Sequence, residues 1–288
     1  MDRVKILNIE MDNFTLEEML EHLTAGAVFT PNVNHMALLQ HSEAFYRAYQ
    51  SAEYRVCDGQ VIYLLSRLLG TPFKARVSGS ELFPRFCKRH CTNEAIRIFL
   101  LGGREGSGEA IMQKLNAKAG RSLIVGAYAP PFGFEHDEIE MTAILERVRQ
   151  SGATVLAVAL GAPKQELFIA THRANLPMVH IFFAIGATLD FEAGVLRPIP
   201  PWLMATGLGF LSRLASEPRR LWRRYLIEAP PFFWLVLKQR FGVYRNPFAN
   251  IPCPKIEQAQ RLLAVTEPPA KSEIQDVVEV ATQERPNW

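Results

Sequence analysis

The sequence contains no Asp-x-Asp pair, the simplest carboxylate clamp for a divalent ion that shields a diphosphate. It also lacks any apolar run long enough to span a bilayer. Its most apolar stretches, Ala153–Ala162, Met178–Leu189 and Pro230–Leu237, all fall short of the roughly 18 residues a spanning helix requires. The first residues, Met1 to Phe14, mix Asp2, Lys5, Glu10 and Asp12 with apolar positions, so neither a signal peptide nor export by that route is expected. Cysteine is scarce. Cys57, Cys87, Cys91 and Cys253 are too few and too scattered for a disulfide framework, which points to a reducing compartment. Cys87 and Cys91 do flank His90 at one helical turn, but no second ligand pair stands at zinc-like spacing, and buried thiols on a helix are the commoner pattern. The first apolar run is not followed by a G-x-G-x-x-G fingerprint with a downstream acid, which argues against a nicotinamide-dependent oxidoreductase. There is no internal repeat.

Apolar residues make up 48% of the 288, enough for an ordinary core in one large or two small domains. The net charge of +3 hides an uneven distribution. Residues 197–245 carry nine basic side chains against Glu217 and Glu228, whereas residues 1–196 carry 19 basic and 21 acidic and residues 246–288 carry four and six. An anionic partner is therefore expected at that late segment.

Short β-branched runs alternate with helical patterns through the first two thirds. The expected strands are Val4–Ile9, Ala27–Thr30, Tyr54–Cys57, Ile96–Leu101, Leu123–Ala127, Thr154–Leu160 and Val179–Ile185. Ser42–Ala52, Gly59–Leu69, Ser80–Cys91, Ser107–Ala119, Asp137–Gln150 and Pro163–Ala174 read as helices, with Pro163 at the first helical position. Several strands are apolar on both faces. The predicted fold is therefore α/β, a Rossmann-like and mostly parallel sheet with helices on both faces, plus a C-terminal basic helical appendage. Leu-Arg-Pro-Ile-Pro-Pro-Trp at 196–202 ends the alternation, dividing the chain into a core at 1–195, an appendage at 196–245 and a mobile tail at 246–288.

In an open α/β sheet ligands bind beyond the carboxyl ends of the strands. Five such ends carry polar or glycine residues: Thr30-Pro31-Asn32-Val33-Asn34, Asp58-Gly59, Gly102 to Gly108, Gly161 to Glu166 and Gly186-Ala187-Thr188. The loop opening with Gly102 and Gly103 reads either as a backbone cradle for phosphate or as a tight turn that packs helix on strand. Asp58 reads either as a half-buried general base or as the cap of the helix beginning after Gly59. Arg76 suits a phosphate or a surface ion pair equally well.

In family order the chain contains Thr30-Pro31-Asn32, Asp58-Gly59, Arg76-Val77-Ser78-Gly79-Ser80-Glu81-Leu82, Phe99-Leu100-Leu101-Gly102-Gly103, Pro130-Pro131-Phe132-Gly133-Phe134, Leu160-Gly161-Ala162-Pro163-Lys164-Gln165-Glu166 and Ala184 to Phe191. Arg197-Pro198, Glu217-Pro218-Arg219-Arg220 and Arg223-Arg224-Tyr225 follow. Over about residues 5–235 this sequence resembles the WecG/TagA/CpsF family of bacterial glycosyltransferases. The resemblance implies an inverting, metal-independent transferase without a cofactor. It would move N-acetylmannosamine, its uronic acid or a similar hexose from a UDP-sugar donor to a polyprenyl-diphosphate-linked acceptor during envelope polysaccharide synthesis. By matching positions the resemblance implies that Asp58 would be the base, that Thr30, Asn32, Arg76 and Gln165 would contact substrate, and that Arg213, Arg220 and Arg223 of the appendage would meet the diphosphate. Three places depart from the family pattern: Glu81 stands where many members have Asp, Gly209 to Arg213 replaces Glu-Trp-x-Tyr-Arg, and Asn34-His35 after the Thr-Pro-Asn motif bears on sugar choice.

Arg219, Arg220, Arg223 and Arg224 beside Leu221, Trp222 and Tyr225, followed by Phe232, Phe233 and Trp234, read as a patch for a membrane surface or as a basic helix docked on the core. These arginines lie among bulky apolar residues rather than along a recognition module, so nucleic acid is not an expected partner. A catalytically silent scaffold would keep the basic surface without needing Asp58 and Gln165. The expected location is the cytoplasmic, inner face of the plasma membrane, with a homo-oligomer left open.

Overall fold

The structure is a computed structural model that describes residues 2–195, Trp222 and residues 229–251. In chain order its elements are β1 (Arg3–Ile6), β2 (Ile9–Asp12), α1 (Leu16–His22), β3 (Gly26–Phe29), α2 (Val33–Leu38), α3 (Glu43–Ser51), β4 (Tyr54–Arg55), α4 (Gln60–Leu68) and α5 (Gly79–Arg89). Then come β5 (Ile98–Gly102), α6 (Ser107–Ala119), β6 (Ile124–Tyr128), α7 (Glu138–Gln150), β7 (Val155–Ala159), α8 (Lys164–His172), β8 (Ile181–Ala184), α9 (Thr188–Glu192) and α10 (Ala229–Arg240).

Six strands form one parallel sheet in the order β4-β3-β8-β7-β5-β6. The inner strands β5 (IFLLG), β7 (VLAVA) and β8 (IFFA) are buried at every position, as a sheet covered on both faces demands. One core layer joins alternate strand residues such as Phe29, Leu101, Leu156 and Phe182 to α2, α3, α7, α8 and α10. The other joins Val28, Leu100, Ala157 and Phe183 to α1, α5, α6 and α9. Phe183 meets the rings of Phe83 and Phe86 on α5 at 5.9 and 5.1 Å, edge to face. Truncating a fully buried aromatic of this kind costs about 3–5 kcal/mol.

Helix starts are set locally. Thr15 and Glu18 form a capping box for α1, the Ser42 hydroxyl accepts the Phe45 amide for α3, and the Asp137 carboxylate accepts the amides of Ile139 and Glu140 for α7. The expected single strand Val4–Ile9 is instead split: the chain reverses at Leu7-Asn8, with Leu7 at φ 52°, and β1 pairs antiparallel with β2. Pro163, expected at the first helical position, stands at the N-cap of α8 after a cis Ala162–Pro163 bond.

Helix α10 docks on the core. Phe232 and Val236 are buried, and Gln239 clasps the β1–β2 turn by accepting the Leu7 amide (2.7 Å) and donating to the Lys5 carbonyl (3.0 Å). Tyr244 donates to Gln40 (2.7 Å). The stretch Asn246 to Ile251, assigned by sequence to the tail, lies against α3 through Phe248 and Tyr46, whose ring centroids are 5.3 Å apart. Among the described residues no helix is long and apolar enough to cross a membrane.

Candidate active site

Neighbouring strands β3 and β8 send their following helices, α2 and α9, to opposite faces of the sheet, which opens a crevice at their carboxyl ends. Thr30, Asn32, Asp58, Arg76 and Gln165, five of the predicted residues, belong to the segments around it. The Asp58 amide donates to the Pro31 carbonyl (3.1 Å), and the Val77 amide donates to the Cys57 carbonyl (2.8 Å), so the β3 end, the β4 end and the approach to α5 are tied together. Gly79 opens α5 directly beneath: a Cβ there would lie 3.6 Å from both the Ile185 Cα and the buried Thr30 Oγ1. Asn32 caps α2, its Oδ1 accepting the amides of Asn34 (3.1 Å) and His35 (3.4 Å). A Cβ on Gly59 would lie 3.8 Å from the Asn32 Cβ.

The N-cap of α4 is Gly59 at φ 94°, with Asp58 one residue outside it, so the helix takes no cap from the residue at that position. Asp58 is half-buried. Burial first, and then the Asp58 charge, push the Cys57 thiol far above its usual range, while Arg76 pulls it back. Asp58 and Arg76 thus bear on one point. Arg76 is itself held by Glu81 at 2.7 Å, so the carboxylate at the departing position 81 keeps this guanidinium in place.

Behind the rim lies a buried polar chain. The Gln165 side-chain carbonyl accepts the Gly186 amide (2.9 Å), and its Nε2 donates to Glu166 Oε1 (2.8 Å). Glu166 is fully buried, and burial raises its carboxyl to about 8. His35 Nδ1 and the Tyr49 hydroxyl are hydrogen-bonded at 2.7 Å. The same His35 nitrogen lies 3.9 Å from Glu166 Oε1, a contact too long for a hydrogen bond. Burial, followed by the charges of Glu166 and Asp58, raises the Tyr49 phenol.

Gly102 and Gly103 lie farther along the sheet, at the end of β5. From β4 this is four strand spacings, roughly 19 Å. Close packing requires the first, since a Cβ on Gly102 would sit 2.6 Å from the Ala159 carbonyl oxygen, and backbone conformation favours the second, since Gly103 has φ 82°. The Arg104 amide and the Ser107 hydroxyl both donate to Asp190 Oδ1, at 3.0 and 3.2 Å. Lys164 pairs with Glu135 and lies 5.0 Å over the Phe132 ring, which binds the loop after β6 to the loop after β7.

The helices α4, α5, α6, α8 and α9 all begin on this side of the sheet, and none of their N-cap residues makes a side-chain cap hydrogen bond. Their positive ends suit an anionic ligand. A second cleft of about 490 Å³ opens at the opposite ends of β3 and β8, where Glu53 pairs with Arg173 at 2.9 Å, and none of the predicted site residues lines it.

A model of the glycosyl transferase WecG/TagA/CpsF family matches residues 4–246. The chain belongs to that family. As a WecG/TagA/CpsF glycosyltransferase it brings Thr30, Asn32, Asp58, Arg76 and Gln165 to one rim, and sets Gly102 and Gly103 apart. Arg213, Arg220 and Arg223 lie outside the described residues. Among the described residues no three His, Cys, Asp or Glu side chains gather as a metal ion would need; burial, with Glu192 next, raises the Cys87 thiol to about 12.

Sequence reasoning missed three parts of this WecG/TagA/CpsF site. The burial of Glu166 was hidden because Lys164-Gln165-Glu166 reads as uniformly polar, whereas Lys164 turns outward and the next two residues turn in. The His35–Tyr49 bond joins two helices with no local signal. Asp190 stands within the Ala184 to Phe191 motif, and its spacing after Gly186 gives no hint of its bond to Arg104.

Proposed function

We propose that this glycosyltransferase moves N-acetylmannosamine, its uronic acid or a similar hexose from UDP to a sugar carried on undecaprenyl diphosphate, with inversion and without a metal. The observation that carries the reading is the union of Asp58, Thr30, Asn32 and the Gln165–Gly186 pair at the crevice between β3 and β8. Asp58 accepts the proton of the acceptor hydroxyl. The acceptor oxygen forms its bond to the anomeric carbon as the bond to the β-phosphate oxygen breaks, and UDP departs with the electron pair. Uncapped helix starts, Arg76 and the appendage residues Arg213, Arg220 and Arg223 offset the charge of that leaving group. Gly102 and Gly103 form the far wall of the donor cleft.

Membrane attachment, on the inner face of the plasma membrane, rests on α10. Its one face is buried through Phe232 and Val236, while Phe233, Trp234 and Leu237, followed by Phe241 and Val243, are exposed. Lys238 lies 5.8 Å from the Trp234 ring, so cationic and aromatic groups share the exposed side. Incubation of the protein with a panel of UDP-sugars and a polyprenyl-diphosphate-linked sugar, with the lipid product resolved by chromatography, tests the proposal. Transfer from one member of the panel is the expected result. No transfer from any of them would instead favour the non-catalytic scaffold.

A further inference from the structure

The buried chain behind the rim contains a carboxyl group that the proposed displacement does not use. Glu166 has no exposed surface, its Oε2 has no hydrogen-bond partner, and its Oε1 holds Gln165 in the orientation that lets the opposite end of that amide accept the Gly186 amide. Charged and titratable groups surround it from several elements: His35 on α2, Tyr49 on α3, and Arg55 and Asp58 on and after β4. None of these forms a close ion pair with it. Arg55 spends its Nη1 on the Tyr49 carbonyl, and His35 stands 3.9 Å away.

A carboxylate at that point would carry a full charge on an oxygen without a donor, in the pocket that already feels Asp58. A neutral acid meets neither cost. Its carbonyl oxygen can still accept from Gln165, so the strut from α8 to the β8 end is kept.

We propose that Glu166 is a positioning residue that works as a neutral acid, fixing Gln165 and Gly186 at the wall of the donor cleft while keeping a second negative charge away from Asp58. This rests on the proposed function only for its kinetic consequence. Burial, which raises the Glu166 carboxyl to about 8, supports the neutral form at pH 7.

The substitutions Glu166→Gln and Glu166→Leu separate the alternatives. Leu removes the acceptor for Gln165 and should lower kcat/KM by about tenfold or more, whereas Gln preserves an uncharged acceptor and should restore it to within about threefold. In the wild type kcat/KM should fall as pH rises through about 8, and that basic limb should be missing from the Gln variant. Loss of turnover in the Gln variant at neutral pH, or an unchanged basic limb, overturns the proposal.

Two measurements need no substrate, and so remain decisive if the transferase reading fails. The infrared spectrum at pH 7 should show a protonated carboxyl stretch that disappears in Glu166→Gln; its absence from the wild type overturns the assignment. The raised carboxyl binds its proton more tightly in the folded than in the unfolded state, so its stabilising effect is present below about 4.5 and is lost as pH climbs to about 8. The melting temperature of the wild type should accordingly drop relative to that of the Gln variant across this window and run parallel above it. A constant difference from pH 4.5 to 8 would mean Glu166 is already ionised.

Discussion

The Asp190 carboxylate on α9 accepts the Arg104 amide at 3.0 Å and, with the same oxygen, the Ser107 hydroxyl at 3.2 Å. One side chain therefore fastens the helix after β8 to the loop after β5. Replacing Asp190 by Ala leaves both donors without this acceptor. The expected loss is about 1–3 kcal/mol, because hydrogen bonds to a charged acceptor contribute more than neutral ones. Urea unfolding measures it, and a midpoint equal to the wild type contradicts it.

Asp58→Asn keeps the size of the side chain and removes the base. Transfer should fall by roughly 10² to 10⁴-fold, the range general-base catalysis supplies, with the melting temperature nearly unchanged. Wild-type turnover by this variant would remove Asp58 from the mechanism.

Two glycines on this side of the sheet should respond differently to a methyl group. At Gly102, φ is 97° and the new Cβ would lie 2.6 Å from a backbone oxygen, so Gly102→Ala should destabilise the fold by several kcal/mol or prevent it, on the order of the cost of combined strain and overpacking. At Gly79 the new Cβ meets its neighbours at 3.6 Å, an ordinary contact. Gly79→Ala should fold normally yet raise the donor KM, because the methyl group covers the Thr30 hydroxyl. Thermal melts and steady-state kinetics on both variants check the contrast.

The exposed face of α10 predicts a loss of membrane affinity without a loss of fold. Phe241 is 77% exposed and Trp234 61%, so neither contributes much to the core. If α10 is the membrane contact proposed above, changing either to Ser should weaken binding to anionic vesicles by roughly tenfold, the equivalent of about 1.4 kcal/mol for an aromatic side chain placed in the interface. Vesicle flotation reads the effect, and equal flotation of wild type and the double variant would locate the membrane contact elsewhere.

The sheet was legible because its inner strands are apolar on both faces, and β5, β7 and β8 could not be mistaken for amphipathic elements. The β1–β2 reversal was not, because Leu7 adopts a left-handed conformation without the glycine that usually marks one. Helix α2, at six residues, is shorter than two turns and leaves no periodic pattern, and α9 is shorter still. For the site, topology brings the ends of β3, β4 and β8 together, as strand-end reading expected, whereas Gly102 and Gly103 at the end of β5 stand apart. They could not show what each side chain does there. Asn32 caps α2 through amides only two and three residues on, whereas Gln165 struts two strand ends through Gly186, 21 residues away, a separation on which single-sequence spacing carries no information.

Helix α10 rests directly on α2, and α2 starts at Asn32, on the lip of the crevice. Packed helices have axes roughly 8–10 Å apart, so a bilayer touching the outer side of α10 would lie only about two helix diameters from the reacting centre. With α10 on a bilayer, as proposed, a sugar tethered to a lipid diphosphate would have only that short distance to cover from the leaflet.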